Sequence, residues 1–257
     1  MSTSHHHHHH RHNSQKSEPM VSRVATGSKA RIHIIYYSMY GHVSTLAKSV
    51  LKGVEAAGAE GRLIQIPETL SKEVLEKMHA PEKDKNIPTI SMIPGIENTV
   101  TLEDALVNCD GILMGIPTRF GGMPAQAKAI WDATGELWMK GGLVGKPIGV
   151  FFSTSTQGGG QETTTLTSFT NFAHHGMLFV PIGYTSPLLT NMNEIHGGSA
   201  YGAGTYAGID GSRKPTELEL KLAEHQGSHF SQVVIALKLG RAALASINAN
   251  QIDSKQK

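Results

Sequence analysis

Gly111-Ile112-Leu113-Met114-Gly115-Ile116 is a run of six residues without a polar side chain. A strand of that kind has no face to give to water, so it belongs in a parallel sheet covered by helices on both sides. Ile32-His33-Ile34-Ile35-Tyr36-Tyr37 and Ile148-Gly149-Val150-Phe151-Phe152 have the same character, rich in β-branched and aromatic side chains. Arg62-Leu63-Ile64-Gln65-Ile66 and Met177-Leu178-Phe179-Val180-Pro181-Ile182 read as two further strands. Between strands the apolar period changes to three and four, as at Val43, Leu46, Ala47, Val50, Leu51 and Val54, which marks a helix with one buried stripe. This alternation predicts an α/β doubly wound sheet of five parallel strands, with ligands bound outside the carboxyl ends of the strands where the strand order reverses.

Three polar, glycine-containing loops leave those ends: Ser38–Val43, Pro117–Gly122 and Ser153–Gly160. In the order 2-1-3-4-5, strands one, three and four are neighbours, and the loops converge on one crevice. The first loop, Ser38-Met39-Tyr40-Gly41-His42, carries two hydroxyls and a glycine at the start of a helix, where orphan N–H groups and the helix dipole favour an anion. It has neither the lysine and glycine spacing of a triphosphate loop nor the fingerprint of a dinucleotide fold. The stretch alone fits either a phosphate-type anion or an ordinary strand-to-helix turn with a capping serine.

The first 28 residues read as an expression leader and stand outside the fold: His5 to His10 form a run of six histidines, in a polar setting. Arg11, Lys16 and Arg23 against Glu18 account for the whole net charge of +2, so the remainder is neutral and no basic stretch argues for a nucleic-acid partner. Beyond the leader the chain is long enough for one α/β domain, 29–241, and then a polar, frayed tail, 242–257. The single cysteine, Cys109, excludes an internal disulfide and fits a reducing, cytoplasmic compartment; without an activating context it reads as a small buried hydrophobe. No run approaches the length of a transmembrane segment.

Short helices are expected over Leu70–Met78 and Leu102–Leu106, and a surface loop over Ala80–Pro94. A helix with Ala125, Ala129, Ile130, Ala133 and Leu137 on one face follows the third strand, and another runs from about Thr163 to His174. Asn191–Gly211 is a long glycine-rich loop, and Pro215 with Glu217 opens a last helix that extends to about Leu239. Gly202-x-Gly204-x-x-x-Gly208 has no strand before it and reads as a flexible loop near the crevice. His174 and His175 diverge by about 100° on a helix, and no cysteine or carboxylate cluster joins them, so no metal site is expected.

Six blocks stand in the order and spacing of one known family: Tyr37–His42, Pro117–Gly121, Gly158–Glu162, Ala173–Met177, Val180–Tyr184 and Asp210–Arg213. From about Ala30 to Gly240 the chain resembles the WrbA-type NAD(P)H:quinone oxidoreductases. The resemblance implies a flavodoxin-like fold, non-covalent FMN, dimers that pair into tetramers, and electron transfer from NADH or NADPH to a quinone, with a role in oxidative stress. By motif, Ser38, Met39, Tyr40, Gly41, His42 and Val43 would hold the FMN phosphate. Pro117, Thr118, Arg119, Phe120 and Gly121 would lie along the isoalloxazine, with Ser153, Thr154, Ser155, Thr156, Gln157 and Gly158 at its other edge, and His174 would complete the site.

Tyr40 would touch the nicotinamide, and Trp138 would wall the substrate pocket from a neighbouring subunit. No residue is assigned as a catalytic acid or base, because the chemistry belongs to the flavin: a ping-pong hydride transfer through N5. Apart from the resemblance, Phe120 and Trp138 read as core aromatics, and Arg119 as a surface charge. The rivals are a one-electron carrier and a non-enzymatic flavin-holding interaction protein. Ser155 and Gln157 stand where the family has glycines, which tolerate positive φ and close backbone approach better; FMN is still expected to bind, with a shift in affinity or redox potential.

Overall fold

In a computed structural model, residues 28–256 are described. The leader expected over residues 1–28 lies outside them, save for Ser28. They divide into two units, Lys29–Lys238, which carries the sheet, and a terminal one that includes the chain from Leu239 onward.

In the larger unit the strands are β1 (Arg31–Tyr36), β2 (Glu60–Gln65), β3 (Thr89–Ile90), β4 (Thr99–Val100), β5 (Gly111–Pro117), β6 (Pro147–Thr154), β7 (Leu178–Phe179) and β8 (Gly204–Tyr206). All pair in parallel, in the order β4-β3-β2-β1-β5-β6-β7, with β8 also on β6. The sheet thus has eight strands rather than the expected five. β3 and β4 are two residues each, too short to leave a periodic signal in what reads as surface loop. β8 lies in the stretch read as a glycine-rich loop. β5 occupies one edge of β6, so β7 beside Pro147–Ile148 and β8 beside Phe152–Thr154 share the other. A Cβ at Gly202, just before β8, would come 1.8 Å from the Val150 carbonyl oxygen, so the glycine is there for close backbone approach. Pro181 has no N–H for a ladder, and the expected six-residue fifth strand stops at Phe179.

Alternation along each strand builds two cores. Ile32, Ile34, Tyr36, Leu113 and Phe151 point to one face, and Ile35, Tyr37, Ile112, Met114, Ile148, Val150 and Phe152 to the other. The first face is covered by α1 (His42–Ala56) and by the start of the last helix (Glu217–Lys255), through Val43, Leu46, Val50, Leu222, Phe230 and Val234. These helices cross at Gly53 and Gly227. A Cβ on Gly53 would meet the Glu224 carbonyl oxygen at 1.8 Å, and one on Gly227 the Val50 oxygen at 2.1 Å.

The second face is covered by α2 (Lys72–Lys77), α3 (Leu102–Leu106), α4 (Ala125–Asp132), α5 (Gly135–Met139), α6 (Thr163–Leu166) and α7 (Phe169–His174), chiefly through Leu106, Ile130, Trp131 and Phe172. The single helices expected over 125–137 and 163–174 are each broken in two, the first at Ala133-Thr134. The buried face of α4 is Gln126, Ala127, Ile130 and Trp131, not the alanine stripe read from the sequence: burying one tryptophan outweighs burying several alanines.

Ala242 to Lys255, expected as a frayed tail, continues the last helix, α8, in keeping with its run of strong helix formers Ala242-Ala243-Leu244-Ala245. By length and composition alone α8 is long and apolar enough to cross a membrane, a stretch the sequence pattern does not mark as such. Its first half, within the larger unit, places Leu218, Leu222, Ala223, Phe230 and Val234 in the core.

Candidate active site

At the carboxyl ends of β1, β5 and β6 the three polar loops enclose one cavity of about 380 Å³. Ser38, Met39, Tyr40, His42 and Val43 line it from the first loop, Pro117, Thr118 and Arg119 from the second, and Ser153, Thr154 and Ser155 from the third. Met78 and the segment Ala207–Gly211 close the remaining sides.

The first loop is shaped by Gly41, which stands at φ +97°, a backbone region that costs other L-residues energy, and forms the N-cap of α1. The Ser38 hydroxyl oxygen turns inward and accepts the N–H groups of Gly41 and Ser44, both at 3.2 Å. The hydroxyls of Ser44 and Thr45 donate to the Gly41 carbonyl at 3.0 and 2.7 Å. Among the described residues no acceptor takes the N–H groups of His42 and Val43, which open the first turn of a fifteen-residue helix. That turn offers two donors and a positive dipole end to the cavity. The Tyr40 hydroxyl donates to the Met78 carbonyl at 2.9 Å and holds the ring at the rim.

Behind the loop lies a polar brace. Lys83 Nζ donates to the Ser38 carbonyl oxygen and sits 4.9 Å from the centre of the Tyr37 ring. The Tyr37 hydroxyl donates to Glu68 at 2.7 Å, and Gln126 donates to the same carboxylate at 2.7 Å. Burial, then the hydrogen bond to Glu68, pushes the Tyr37 phenol far above its ordinary value. Burial also pushes the Glu68 carboxyl up, but the hydrogen bonds from Tyr37, Gln126, Leu70 and Thr69 outweigh it and keep the group ionised below the usual carboxylate range. Burial lowers Lys83 against the opposing pull of Glu68.

The second loop folds back on itself. Arg119 and Gly122 exchange N–H and carbonyl bonds at 2.8 and 3.1 Å around a two-residue tip, Phe120-Gly121, with both φ values positive at 55° and 78°. A phenylalanine in the left-handed region costs about 1–2 kcal/mol. Phe120 is also fully exposed, at 108 %, and does not line the cavity of its own chain. Thr118 is held by a bond from its N–H to the Ser153 carbonyl at 2.8 Å and by the Thr164 hydroxyl at 2.8 Å. In the third loop neither Ser155 nor Gln157 adopts a positive φ. Gly158 and Gly160 do, at 71° and 119°, so the two departures from glycine carry no strain. Gly121, Thr156, Gln157 and Gly158 are not among the lining residues, and Gly41 lines the far side of its own turn.

Trp138 and His174 lie elsewhere. They share a separate surface cleft with Met139 and Val144, where the Trp138 indole N–H donates to the His174 carbonyl at 3.0 Å. Trp138 is 54 % exposed, which excludes the core reading; the core tryptophan is Trp131, at 3 %. The glycine pattern ending at Gly208, read from the sequence as a loop near the crevice, does reach the cavity in the wall Ala207–Gly211, whereas the sequence does not single out Ile209 and Asp210 as lining residues. Among the described residues no group of three or more metal-ligating side chains gathers.

A parallel sheet between two helix layers, with an anion-accepting turn at its switch point, defines the class as a flavodoxin-like α/β protein. Residues 31–187 match the family described as NADPH-dependent FMN reductase, and the chain belongs to that family. It is 52 % identical over 210 residues to the quinone-oxidoreductase QR2 of Triphysaria versicolor, covering 81 % of this chain and 97 % of the relative. It is 52 % identical over 206 residues to the NAD(P)H quinone oxidoreductase PST3 of Candida albicans, covering 79 % and 98 %. The flavodoxin, WrbA-like protein from Agrobacterium tumefaciens shares the fold at a TM-score of 0.53 with 20 % identity, over 81 % of this chain and 99 % of that one.

Proposed function

We propose that the protein is an FMN-dependent NAD(P)H:quinone oxidoreductase that reduces quinones by two electrons in a ping-pong cycle. The observation that carries this reading is the convergence of three strand-end loops on one cavity, with unpartnered N–H groups at its helix terminus. The residues fit FMN. His42 and Val43 offer N–H donors to a phosphate, Gly41 leaves the turn without a side chain, and Thr118, Arg119 and Thr154 line the remainder with polar groups suited to a flavin ring. The relatives named as quinone oxidoreductases support the same substrate class.

FMN, when bound, supplies a hydride acceptor at N5 toward NAD(P)H and a two-electron donor toward the quinone. The chain's own part is to bind, orient and tune. The Ser38–Val43 turn anchors the phosphate end. Arg119 places a positive charge at the cavity wall, where it stabilises negative charge on the reduced ring. Tyr40, tethered to Met78, forms a flat rim for a nicotinamide or quinone ring. Asp210, the acid among the lining residues, accepts from Ser212, and those bonds hold its carboxyl below the usual carboxylate range; no acid for the quinone is assigned, and its protons are taken from water.

The active unit is at least a dimer. Trp138 is read as walling the substrate pocket of a neighbouring subunit; the part expected of His174 at the flavin is not met within its own chain, where it lines the cleft beside Trp138. The compartment is the cytoplasm, in line with a single cysteine that is buried and free. Initial rates with NADH and benzoquinone test the cycle. Parallel double-reciprocal lines are expected, and lines that intersect contradict a single shared site.

A further inference from the structure

Glu219 is fully buried, yet no function described so far uses it. Its carboxylate accepts five hydrogen bonds. The N–H of Gly197 donates at 2.7 Å, the Thr205 hydroxyl at 2.9 Å and the N–H of Thr216 at 2.8 Å, while Arg213 Nη1 lies 3.1 and 3.3 Å from its two oxygens. Thr216 and Glu219 form a capping box at the start of α8, since the Thr216 hydroxyl takes the Glu219 N–H in return at 3.3 Å. A cap needs only one of those bonds. The others go to Arg213 and to the segments around it.

Arg213 reaches further. Nη1 donates to the Tyr206 carbonyl at 2.7 Å and Nη2 to the Ile195 carbonyl at 3.0 Å, and the Arg213 N–H donates to the Ala207 carbonyl at 2.9 Å. Its carbonyl oxygen accepts from His42 Nε2 at 2.8 Å; a carbonyl only accepts, so that nitrogen carries the proton. His42 belongs to the anion-accepting turn. Arg213 therefore joins the buried carboxylate, the end of β8 and the phosphate turn.

Between these anchors runs the cavity wall, Ala207–Gly211. At one end it is fixed by the N–H groups of Ala207 and Gly208, which donate to the carbonyls of Thr154 and Ser155 at 2.8 and 2.9 Å. At the other end it is fixed by Arg213. Among the described residues the tip, Ile209-Asp210-Gly211, bonds within its own turn, Gly211 N–H to Gly208 and Ser212 to Asp210. Ile209 is 92 % exposed, so packing does not hold it either.

We propose that Arg213, clamped on Glu219, is a positioning residue that sets the wall Ala207–Gly211 against the cofactor and its nicotinamide partner. The clamp acts through the wall on one side and through His42 on the other. It rests on the reading of the cavity as an FMN and NAD(P)H site. Arginine suits the post because its planar fork serves Glu219, Tyr206 and Ile195 together, which a lysine ammonium on a single stem does not.

The test is Arg213→Gln and Arg213→Lys in the full-length holoenzyme, set beside the unaltered protein. FMN release on dilution is read by its fluorescence, and KM and kcat for NADH by steady state. Ile112→Val, which trims the core near the start of β5 and touches neither the clamp nor the wall, is the stability control. Both arginine variants are expected to release FMN at tenfold or higher protein concentration than the unaltered protein, and to raise KM for NADH more than they lower kcat. Ile112→Val is expected to melt earlier with unchanged FMN retention. A folded arginine variant with FMN retention and KM within twofold of the unaltered protein overturns the proposal, as does loss of FMN that merely tracks melting temperature across all three. Should Arg213→Gln fail to fold, Arg213→Lys, which keeps a charge opposite Glu219, decides by the same criteria. An unaltered protein that retains no FMN would instead overturn the cofactor reading.

Discussion

His42 and Arg213 are 171 residues apart in the chain, and the ring nitrogen of one lies 2.8 Å from the carbonyl oxygen of the other. This bond closes the cavity: the turn after β1 supplies its floor, and the loop after β8 its wall. The site is thus assembled from the first strand-to-helix turn and the approach to the last helix.

Gly41 is the tightest backbone requirement in the floor. A Cβ there meets only the Ser44 hydroxyl, at 3.8 Å, so space is no obstacle; the difficulty is the φ of +97°. Gly41→Ala is expected to destabilise the protein by about 1–2 kcal/mol and to weaken FMN retention. Urea melts and flavin release on one sample check it. A variant as stable as the original would show that the turn relaxes without loss.

His33, His175 and His225 are each held below the ordinary histidine value of 6.5, chiefly by burial. His175 is packed against Trp131 and bonded through Nε2 to the Thr134 hydroxyl at 2.8 Å. With the folded values lowered, the unfolded chain binds more protons than the folded one below pH 6.5, so stability is complete above that value and falls as the pH drops through the window beneath it. Urea midpoints are expected to be flat above about pH 7 and to decline toward about pH 5. A flat midpoint over that whole range would contradict the neutral, buried state of these rings.

Trp138→Ala separates a pocket wall from a structural residue. The side chain is 54 % exposed, so loss of its one hydrogen bond to His174 is expected to cost about 0.5–1.5 kcal/mol of stability, not the several lost on emptying a core. If Trp138 stacks on substrates across an interface, kcat/KM falls roughly 2- to 13-fold for both NADH and quinone. Sedimentation of the same sample, saturated with FMN, is expected to give a dimer or tetramer. A monomer with full activity would remove Trp138 from the site.

The strands that flank the site are legible in the sequence because Ile32–Tyr37, Gly111–Ile116 and Ile148–Phe152 are buried on both faces and so almost wholly apolar. The loops after them are legible because hydroxyls and glycines stand out where apolar runs end. The hidden part depends on contacts across the chain. The brace of Tyr37, Glu68, Lys83 and Gln126 draws on four separate segments, and no local spacing marks it. β8 is disguised by Gly202 and Gly204, which serve close approach to β6 rather than strand propensity. Trp138 stands out beside Gly141-Gly142, yet it is Trp131 that the sheet buries.

The most direct measurement is the flavin itself. Protein purified without added cofactor is denatured, and the released chromophore is quantified and weighed by mass spectrometry, after an anaerobic sample has been treated with NADH and then benzoquinone. The cavity predicts FMN at one per chain, with a yellow absorbance that NADH bleaches and the quinone restores. FAD in that stoichiometry, or FMN whose absorbance NADH leaves unchanged, would contradict it.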